Sequence, residues 1–236
     1  MVLGALFFGI SRTGIRGSAM VAIPIFAEIL GAKVSSGFVL ILLIIGDGVA
    51  IRYYLRDTHW KTVLKLLPWA LAGVVVGALV GEAISEVAFR RTMGSILLGS
   101  AVLLLWREFR ENELIIPGTP VVSALLGTSG GFSSMVGNAA GPLMNLYLLS
   151  KGYKKEQFVG TAAWFFFLMN VSKVPFHVFY WRTVTMDSIP LLALLVVPTL
   201  LGTVLGVSIV RVLPERPFRL VTVGLAAVAS LRLVLM

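Results

Sequence analysis

The 236-residue sequence contains no cysteine and only two histidines, His59 and His177. The absence of cysteine excludes disulfides, thiolate metal sites and cysteine nucleophiles, and two histidines are too few for a histidine-built metal centre. Charged residues are also scarce, at 13% of the chain, while 58% is hydrophobic; soluble domains are about a quarter charged. Because this chain cannot supply the polar surface that a soluble protein of its size needs, its composition predicts an all-α integral membrane protein.

Sequence motifs for catalysis are missing as well. The serines of "GTSGG" and "GFSSMVG" have no His/Asp partner placed to form a nucleophile elbow. No Walker A pattern, haem motif or metal-ligand spacing is present, so we expect no enzyme activity, no metal and no cofactor. The N-terminus enters apolar sequence without a basic n-region, so no removable signal peptide is expected.

The net charge of +9 is spread along the chain without a long basic block. We therefore expect no nucleic-acid partner, and in a membrane protein such basic residues chiefly set the orientation.

Six apolar segments of about spanning length predict six transmembrane helices. They are Ser35–Leu55, Thr62–Ala83, Thr92–Trp106, Phe158–Tyr180, Ile189–Val212 and Phe218–Met236. Short links carry the charges between them, so residues 1–236 are expected to form a single transmembrane domain.

Two further apolar regions are interrupted. Val2–Leu30 contains "SRTGIRGS", and Pro120–Ser150 contains "GTSGGFSSMVGNAAGP". Each pattern predicts two half-length helices that meet at a glycine-rich break, because glycine permits the turn.

The two interrupted regions belong to an internal repeat. Gly9, Gly14 and Gly17 match Gly131, Gly137 and Gly141, and an offset of 123 relates Gly37 and Asp47 to Gly160 and Asn170. An offset of 129 relates Gly73, Gly77, Phe89 and Arg90 to Gly202, Gly206, Phe218 and Arg219. We interpret the chain as a duplicated unit, with repeat 1 at about residues 1–113 and repeat 2 at about 119–236, each a broken element plus three transmembrane helices.

The basic residues bear on the orientation of the repeats. If the broken elements are re-entrant, twelve of the Lys and Arg residues outside the intramembrane sites lie on one side and five on the other; if they cross the membrane, the division is nine to eight. The rich side holds Arg52, Arg56, Lys61, Lys65, Arg107, Arg110, Lys151, Lys154, Lys155, Arg211, Arg216 and Arg219. The positive-inside rule favours the first arrangement. It predicts a helical bundle of two inverted repeats, with the basic side cytoplasmic.

Inverted repeats around broken helices are a recurrent architecture of secondary transporters. Freed backbone N–H groups and helix N-termini near the bilayer centre suit an anion. Arg12 and Arg16 lie in the first break, and we expect them to bind an oxyanion with Ser11 and Thr13. The structural alternative is that both arginines extend to the membrane interface.

Lys173 lies inside a hydrophobic helix, with Asn170 one turn before it on the same face. Lys173 could contact the substrate or pair with an acid, for which Asp47 is the obvious candidate. Asp47 could balance charge or carry a coupling proton.

The second break offers neutral donors in Asn138, Ser133 and Ser134. His177 is interpreted as a satisfied packing group. The aromatic run Trp164–Phe167 is interpreted as lipid contacts and interfacial belt residues.

The chain resembles the sulfite exporter TauE/SafE family. The resemblance rests on the paired segments "GISRTGIRGSAMVAIPIFAEILGAK" and "GGFSSMVGNAAGPLMNLYLLSKGYKKEQFVGTAAWFF", and on "VGTAAWFFFLMNVSKVPF". It implies transport of sulfite, sulfonates or related sulfur oxyanions, or organic acids. The arginines depart from the string of glycines that is common in the family's first segment.

These observations predict a multi-pass plasma-membrane transporter that moves a small anion by alternating access. The alternatives are an anion channel that uses the same breaks and a membrane assembly partner without transport activity. Protons are a candidate coupling ion and homo-oligomerisation a candidate assembly.

Overall fold

The computed structural model describes residues 1–13, 18–54, 58–109, 119–212 and 215–235, and within these ranges the chain is helical and contains no strand. The described helices are α1 (Val2–Thr13), α2 (Ser18–Leu30), α3 (Ala32–Tyr54), α4 (Trp60–Ala83), α5 (Glu86–Glu108), α6 (Pro120–Gly137), α7 (Gly141–Leu149), α8 (Lys155–Pro175), α9 (Ile189–Val212) and α10 (Glu215–Leu235). A π-helical turn at Phe176–Tyr180 continues α8, and a 3₁₀ turn at Met186–Ser188 precedes α9.

Among the described residues, five segments are long and apolar enough to cross a membrane. They are Ala32–Arg52, Trp60–Ala83, Glu86–Trp106, Gln157–Tyr180 and Met186–Gly206. The prediction of an all-α membrane protein is therefore confirmed. Helix α5 begins before the predicted Thr92, and α8 before the predicted Phe158. The reason is that hydropathy falls at charged residues, whereas helical hydrogen bonding continues through them.

The first broken region folds into a hairpin. A Cβ on Gly4, near the start of α1, would lie 2.7 Å from the ring of Phe26, near the end of α2. The rings of Phe8 and Phe26 pack edge to face at 5.3 Å. The ends of the two helices remote from the break thus lie side by side, and α1, with 12 residues, is about 18 Å long at 1.5 Å per residue. A bilayer core is about 30 Å thick.

The second broken region repeats this arrangement with α6 and α7. The hydroxyls of Ser123 in α6 and Tyr147 in α7 lie 3.2 Å apart, and a Cβ on Gly130 would lie 2.6 Å from Met144. Asn138 ends α6 in the left-handed conformation, with φ 51°, and its N–H bonds to the carbonyls of Ser133 and Ser134. The turn reverses the chain in three residues.

Matched glycines hold each hairpin against a long helix of the other half. Gly131 of α6 packs directly against the carbonyl of Ala70 in α4, and Gly73 of α4 packs directly against the carbonyl of Thr128 in α6. In the same way, Gly202 of α9 lies on the carbonyl of Leu6 in α1, and Gly9 of α1 lies on that of Thr199 in α9. Gly9 corresponds to Gly131, and Gly73 to Gly202. The two halves therefore make one contact twice, with the partners exchanged.

Helices α3 and α8 pack on each other, and helix α10 packs on α5 and α2. The outer faces of α4 and α9 are apolar and exposed, including Val76, Leu79, Leu194 and Val197. Such faces suit contact with lipid, while the buried polar groups gather inside the bundle.

Substitution of Gly131 by alanine is expected to destabilise the protein by about 1–3 kcal/mol, because the added methyl would overlap the backbone of α4. The measurement is thermal unfolding in detergent. The matched control is Gly224→Ala in α10, where a Cβ meets nothing within 4 Å. The control should unfold at or above the wild-type temperature, since alanine favours helix by about 1 kcal/mol. Equal melting temperatures for the two variants would contradict the packing described.

Candidate functional site

The ends of α1 and α6 bring a cluster of buried and half-buried polar side chains onto α3 and α8. Arg12 comes from the last turn of α1, Asp47 from α3, Asn170 and Lys173 from α8, and Asn138 follows the end of α6. With Ser134 of α6, six of the predicted site residues are thus assembled in one place.

Arg12 forms an ion pair with Asp47. Its Nη1 lies 3.0 Å from Oδ1 of Asp47, and the Asp47 side chain is 1% exposed. Gly46 makes room for the arginine, because a Cβ there would lie 2.9 Å from Cγ of Arg12. The guanidinium carbon lies 5.6 Å from the ring centre of Phe166, within the range of a cation–π contact.

Asn170 is the hydrogen-bond partner of the second oxygen of the Asp47 carboxylate. Its Nδ2 donates to Oδ2 of Asp47 at 2.8 Å. This hydrogen bond joins α3 to α8 at the two positions that the predicted repeat matches. Both oxygens of Asp47 are therefore held, one by each half of the chain.

Lys173 is fully buried and has three acceptors. Its Nζ donates to the carbonyl and the hydroxyl of Ser134, each at 3.0 Å, and to Oδ1 of Asn138 at 2.7 Å. Three acceptors match the three protons of an ammonium group. Within the described ranges no carboxylate lies within 4 Å of this nitrogen. The acid that Lys173 could have taken, Asp47, is paired with Arg12 instead.

Asn138 links the lysine to α3. Its Nδ2 donates to the carbonyl of Ser36 at 2.9 Å while its Oδ1 accepts from Lys173. The nitrogen and the oxygen of one amide thus form hydrogen bonds to groups on two different helices. If α3 moved relative to α8, Asn138 would have to move with one of the two helices and break its hydrogen bond to the other.

The cluster holds more basic than acidic groups. Asp47 is the one carboxylate that the described residues place beside the two basic side chains, Arg12 and Lys173. Nε of Arg12 is buried and has no hydrogen-bond partner in the described part of the chain. A buried basic group without a carboxylate and a free donor are features that an anion site can use.

The other predicted site residues lie at the edge of this cluster or outside it. The Ser11 hydroxyl donates to the carbonyl of Phe8, one turn back in α1. Thr13 ends α1, but its side chain lies outside the described residues, as does all of Arg16. Ser133 lines a separate pocket of about 170 Å³ beside Ser95 and Ser100 of α5.

Sequence reasoning missed the packing around the charges. Phe165 was assigned to a lipid-facing belt, and that was wrong, because it is 1% exposed and belongs to the core. Phe166 lies against Arg12. Gly46, which leaves room for Arg12, can be seen in the sequence, but the sequence does not show that Arg12 is the side chain that contacts it.

Cations and neutral donors dominate the cluster, and no three His, Asp or Glu side chains of the described residues come together as metal ligands. The family model for the sulfite exporter TauE/SafE matches residues 1–233. The chain belongs to the sulfite exporter TauE/SafE family. No curated protein and no solved structure matches the chain. Membership in the TauE/SafE family identifies a membrane transporter of the class that exports sulfur anions, and it confirms the resemblance drawn from the paired glycine-rich segments.

Replacement of Asp47 by asparagine should leave the two buried cations without a carboxylate. We expect a loss of about 3–5 kcal/mol in unfolding free energy, as for removal of one partner of a buried ion pair. The double variant Asp47→Asn/Arg12→Gln should lose less, because one cation is removed with the acid. Thermal unfolding in detergent measures both, with the exposed Asp187→Asn as control. Strictly additive losses would contradict the Arg12–Asp47 pairing.

Proposed function

We propose that this TauE/SafE protein is a secondary transporter that carries a small sulfur oxyanion, with sulfite as the leading candidate, across the plasma membrane by alternating access. The observation that carries the proposal is the excess of basic over acidic side chains in the Arg12–Asp47–Lys173 cluster. An anion bound there would neutralise the charge that a protonated Lys173 adds, a charge that is costly to bury alone.

The donors fit an oxyanion. Arg12 offers its unpartnered Nε beside a guanidinium fork that already holds Asp47. Arginine suits pyramidal and tetrahedral oxyanions because its planar fork donates more than one hydrogen bond at once. Lys173, Asn138 and Ser134 supply charge and further polar groups on the side of the second hairpin.

The fold supports an inverted arrangement of the two repeats. Each broken region returns to the side it came from, as the Gly4–Phe26 and Ser123–Tyr147 contacts indicate. If the hairpins are re-entrant in the membrane, three crossings separate them and they enter from opposite faces. Two of the twelve residues that favour this topology, Arg56 and Arg110, lie outside the described residues.

Contacts at the two ends of α4 are candidates for closing the site from either side. On one side Trp181 donates to the carbonyl of Ala78 at 3.0 Å, and Lys33 pairs with Glu82 at 2.5 Å. On the other side the Trp60 and Trp164 rings lie 5.0 Å apart. Alternating access then consists of opening one set of contacts while the other stays closed.

An anion channel is the second candidate, since the same helix breaks could line a filter. It predicts flux that does not saturate, whereas a carrier saturates and turns over slowly. A protein that acts only as an assembly partner predicts no flux in reconstituted vesicles.

The transport proposal is tested by flux in proteoliposomes with sulfite, sulfate, thiosulfate, methanesulfonate and acetate. We expect saturable sulfite flux, and we expect Arg12→Gln and Lys173→Gln to reduce it at least about tenfold, because each removes a charge worth more than 1.4 kcal/mol to a bound anion. The matched controls are the exposed Arg91→Gln and Lys61→Gln, which should keep wild-type flux.

Unchanged flux and affinity in both site variants would exclude this location for the substrate. Wild-type vesicles no more permeable to every anion than empty vesicles would exclude transport itself.

The inverted arrangement is tested by cysteine labelling, for which a chain without cysteine is well suited. Lys61→Cys and Lys154→Cys, both exposed, should react with an impermeant maleimide from the cytoplasmic side. Asp187→Cys should react from the opposite side. If Lys61→Cys and Lys154→Cys react from different sides, the repeats are not inverted.

A further inference from the structure

His177 is a fully buried imidazole with one unsatisfied nitrogen. It lies one helical turn beyond Lys173, in the π-helical turn Phe176–Tyr180 that continues α8. Its Nε2 is buried and has no hydrogen-bond partner in the described part of the chain. A buried polar atom without a partner is rare and calls for a structural or functional reason.

The hydrogen bonds on the other side of the ring allow two tautomers. Nδ1 lies 2.8 Å from Oγ1 of Thr183, and the same hydroxyl lies 3.3 Å from the carbonyl of His177. If the hydroxyl donates to that carbonyl, it accepts from a protonated Nδ1, and Nε2 of the neutral imidazole holds a free lone pair. In that tautomer Nε2 is a proton acceptor that this conformation leaves without a donor.

Packing fixes the ring in this orientation. A Cβ on Gly37 of α3 would lie 2.6 Å from the Thr183 hydroxyl and 3.1 Å from Nδ1 of His177. The Trp181 ring packs edge to face on the imidazole at 5.0 Å and covers it from the side closed by Lys33 and Glu82. His177 therefore lies between that closure and Lys173.

The charged groups around His177 come from three helices and the following loop. Lys173 lies on its own helix, Lys33 on α3 and Glu82 on α4, and Arg182 follows the covering Trp181. Helix α5 contributes the uncharged Phe89, which packs on Trp181. Lys33 and Glu82 pair with each other, so Lys173 is the charge with which a protonated His177 would chiefly interact.

We propose that Nε2 of His177 is the proton-accepting site that couples proton movement to anion movement in this carrier. The inference rests on the proposed transport function. When the Trp181 side opens, water delivers a proton from hydronium to the Nε2 lone pair, and the neutral imidazole becomes an imidazolium. The new positive charge lies one turn from Lys173, whose own charge opposes it; a bound anion offsets that repulsion, and the imidazolium in turn strengthens anion binding. By linkage, the anion strengthens proton binding to the same degree. Anion and proton are then carried together and released together.

The first test observes the imidazole itself. His59 and His177 are the only histidines, so His59→Gln protein labelled with ¹⁵N-histidine gives one imidazole signal pair. We expect a protonated Nδ1 and a pyridine-type Nε2. At fixed pH, sulfite should increase the fraction protonated at Nε2. A proton on Nε2 in place of Nδ1, or a protonated fraction that sulfite leaves unchanged, would overturn the proposal.

The second test measures coupling with His177→Asn, whose amide can still donate to Thr183 but has no counterpart of Nε2. Sulfite flux is compared with and without a pH gradient, and each variant is expressed relative to wild type so that the titration of sulfite itself cancels. A gradient should accelerate wild-type flux at least about fivefold, and His177→Asn should lose that acceleration while it keeps flux without a gradient. The matched control His59→Gln should respond as wild type does.

A full gradient response in His177→Asn would overturn the coupling role but leave the transport proposal standing. Absence of anion flux in the wild type would overturn the transport proposal, and this inference with it. If His177→Asn does not fold, as judged by thermal unfolding, the imidazole signal in the intact residue decides.

Discussion

One carboxylate, Asp47, lies among two basic side chains at the centre of this protein, and the proposed function depends on that imbalance. Asp47 holds Arg12 through one oxygen and Asn170 through the other. Lys173, one turn further along α8, is left with three uncharged acceptors. In water an unpaired lysine would be unimportant, but inside a membrane protein its charged form calls for a counter-ion. An anion at this cluster would supply that counter-ion, which is why the cluster is the proposed substrate site.

The glycine contacts explain how the charges reach the centre. Gly9 and Gly202 allow α1 to lie directly on α9, and Gly73 and Gly131 allow α6 to lie directly on α4. Each hairpin is thus fixed to a long helix of the other half of the chain. The contact occurs twice with exchanged partners, as the predicted repeat would require. Arg12 comes from the first hairpin, and no basic residue occupies the matching part of the second.

Much of the fold could be read from the sequence, because hydropathy and glycine spacing are local signals. The apolar segments, the two interrupted regions and the residues of the central cluster were recognisable without coordinates. The pairing within the cluster was not. The sequence pattern favours Asp47 as the acid for Lys173, and nothing local shows that Arg12 reaches it instead through the space left by Gly46. The burial of Phe165 and the empty Nε2 of His177 depend in the same way on helices far apart in the chain. The sequence alone therefore does not show which side chains on different helices contact each other.

The central claim is that the excess charge at Arg12 and Lys173 is where the anion binds. The most direct measurement is a structure of the protein with selenite, a pyramidal oxyanion whose selenium scatters anomalously. The anomalous peak should lie within hydrogen-bonding reach of Nε of Arg12, between the break ends of the two hairpins. A protein that transports selenite but shows its ordered peak only elsewhere, with Arg12 and Lys173 untouched, would contradict the claim.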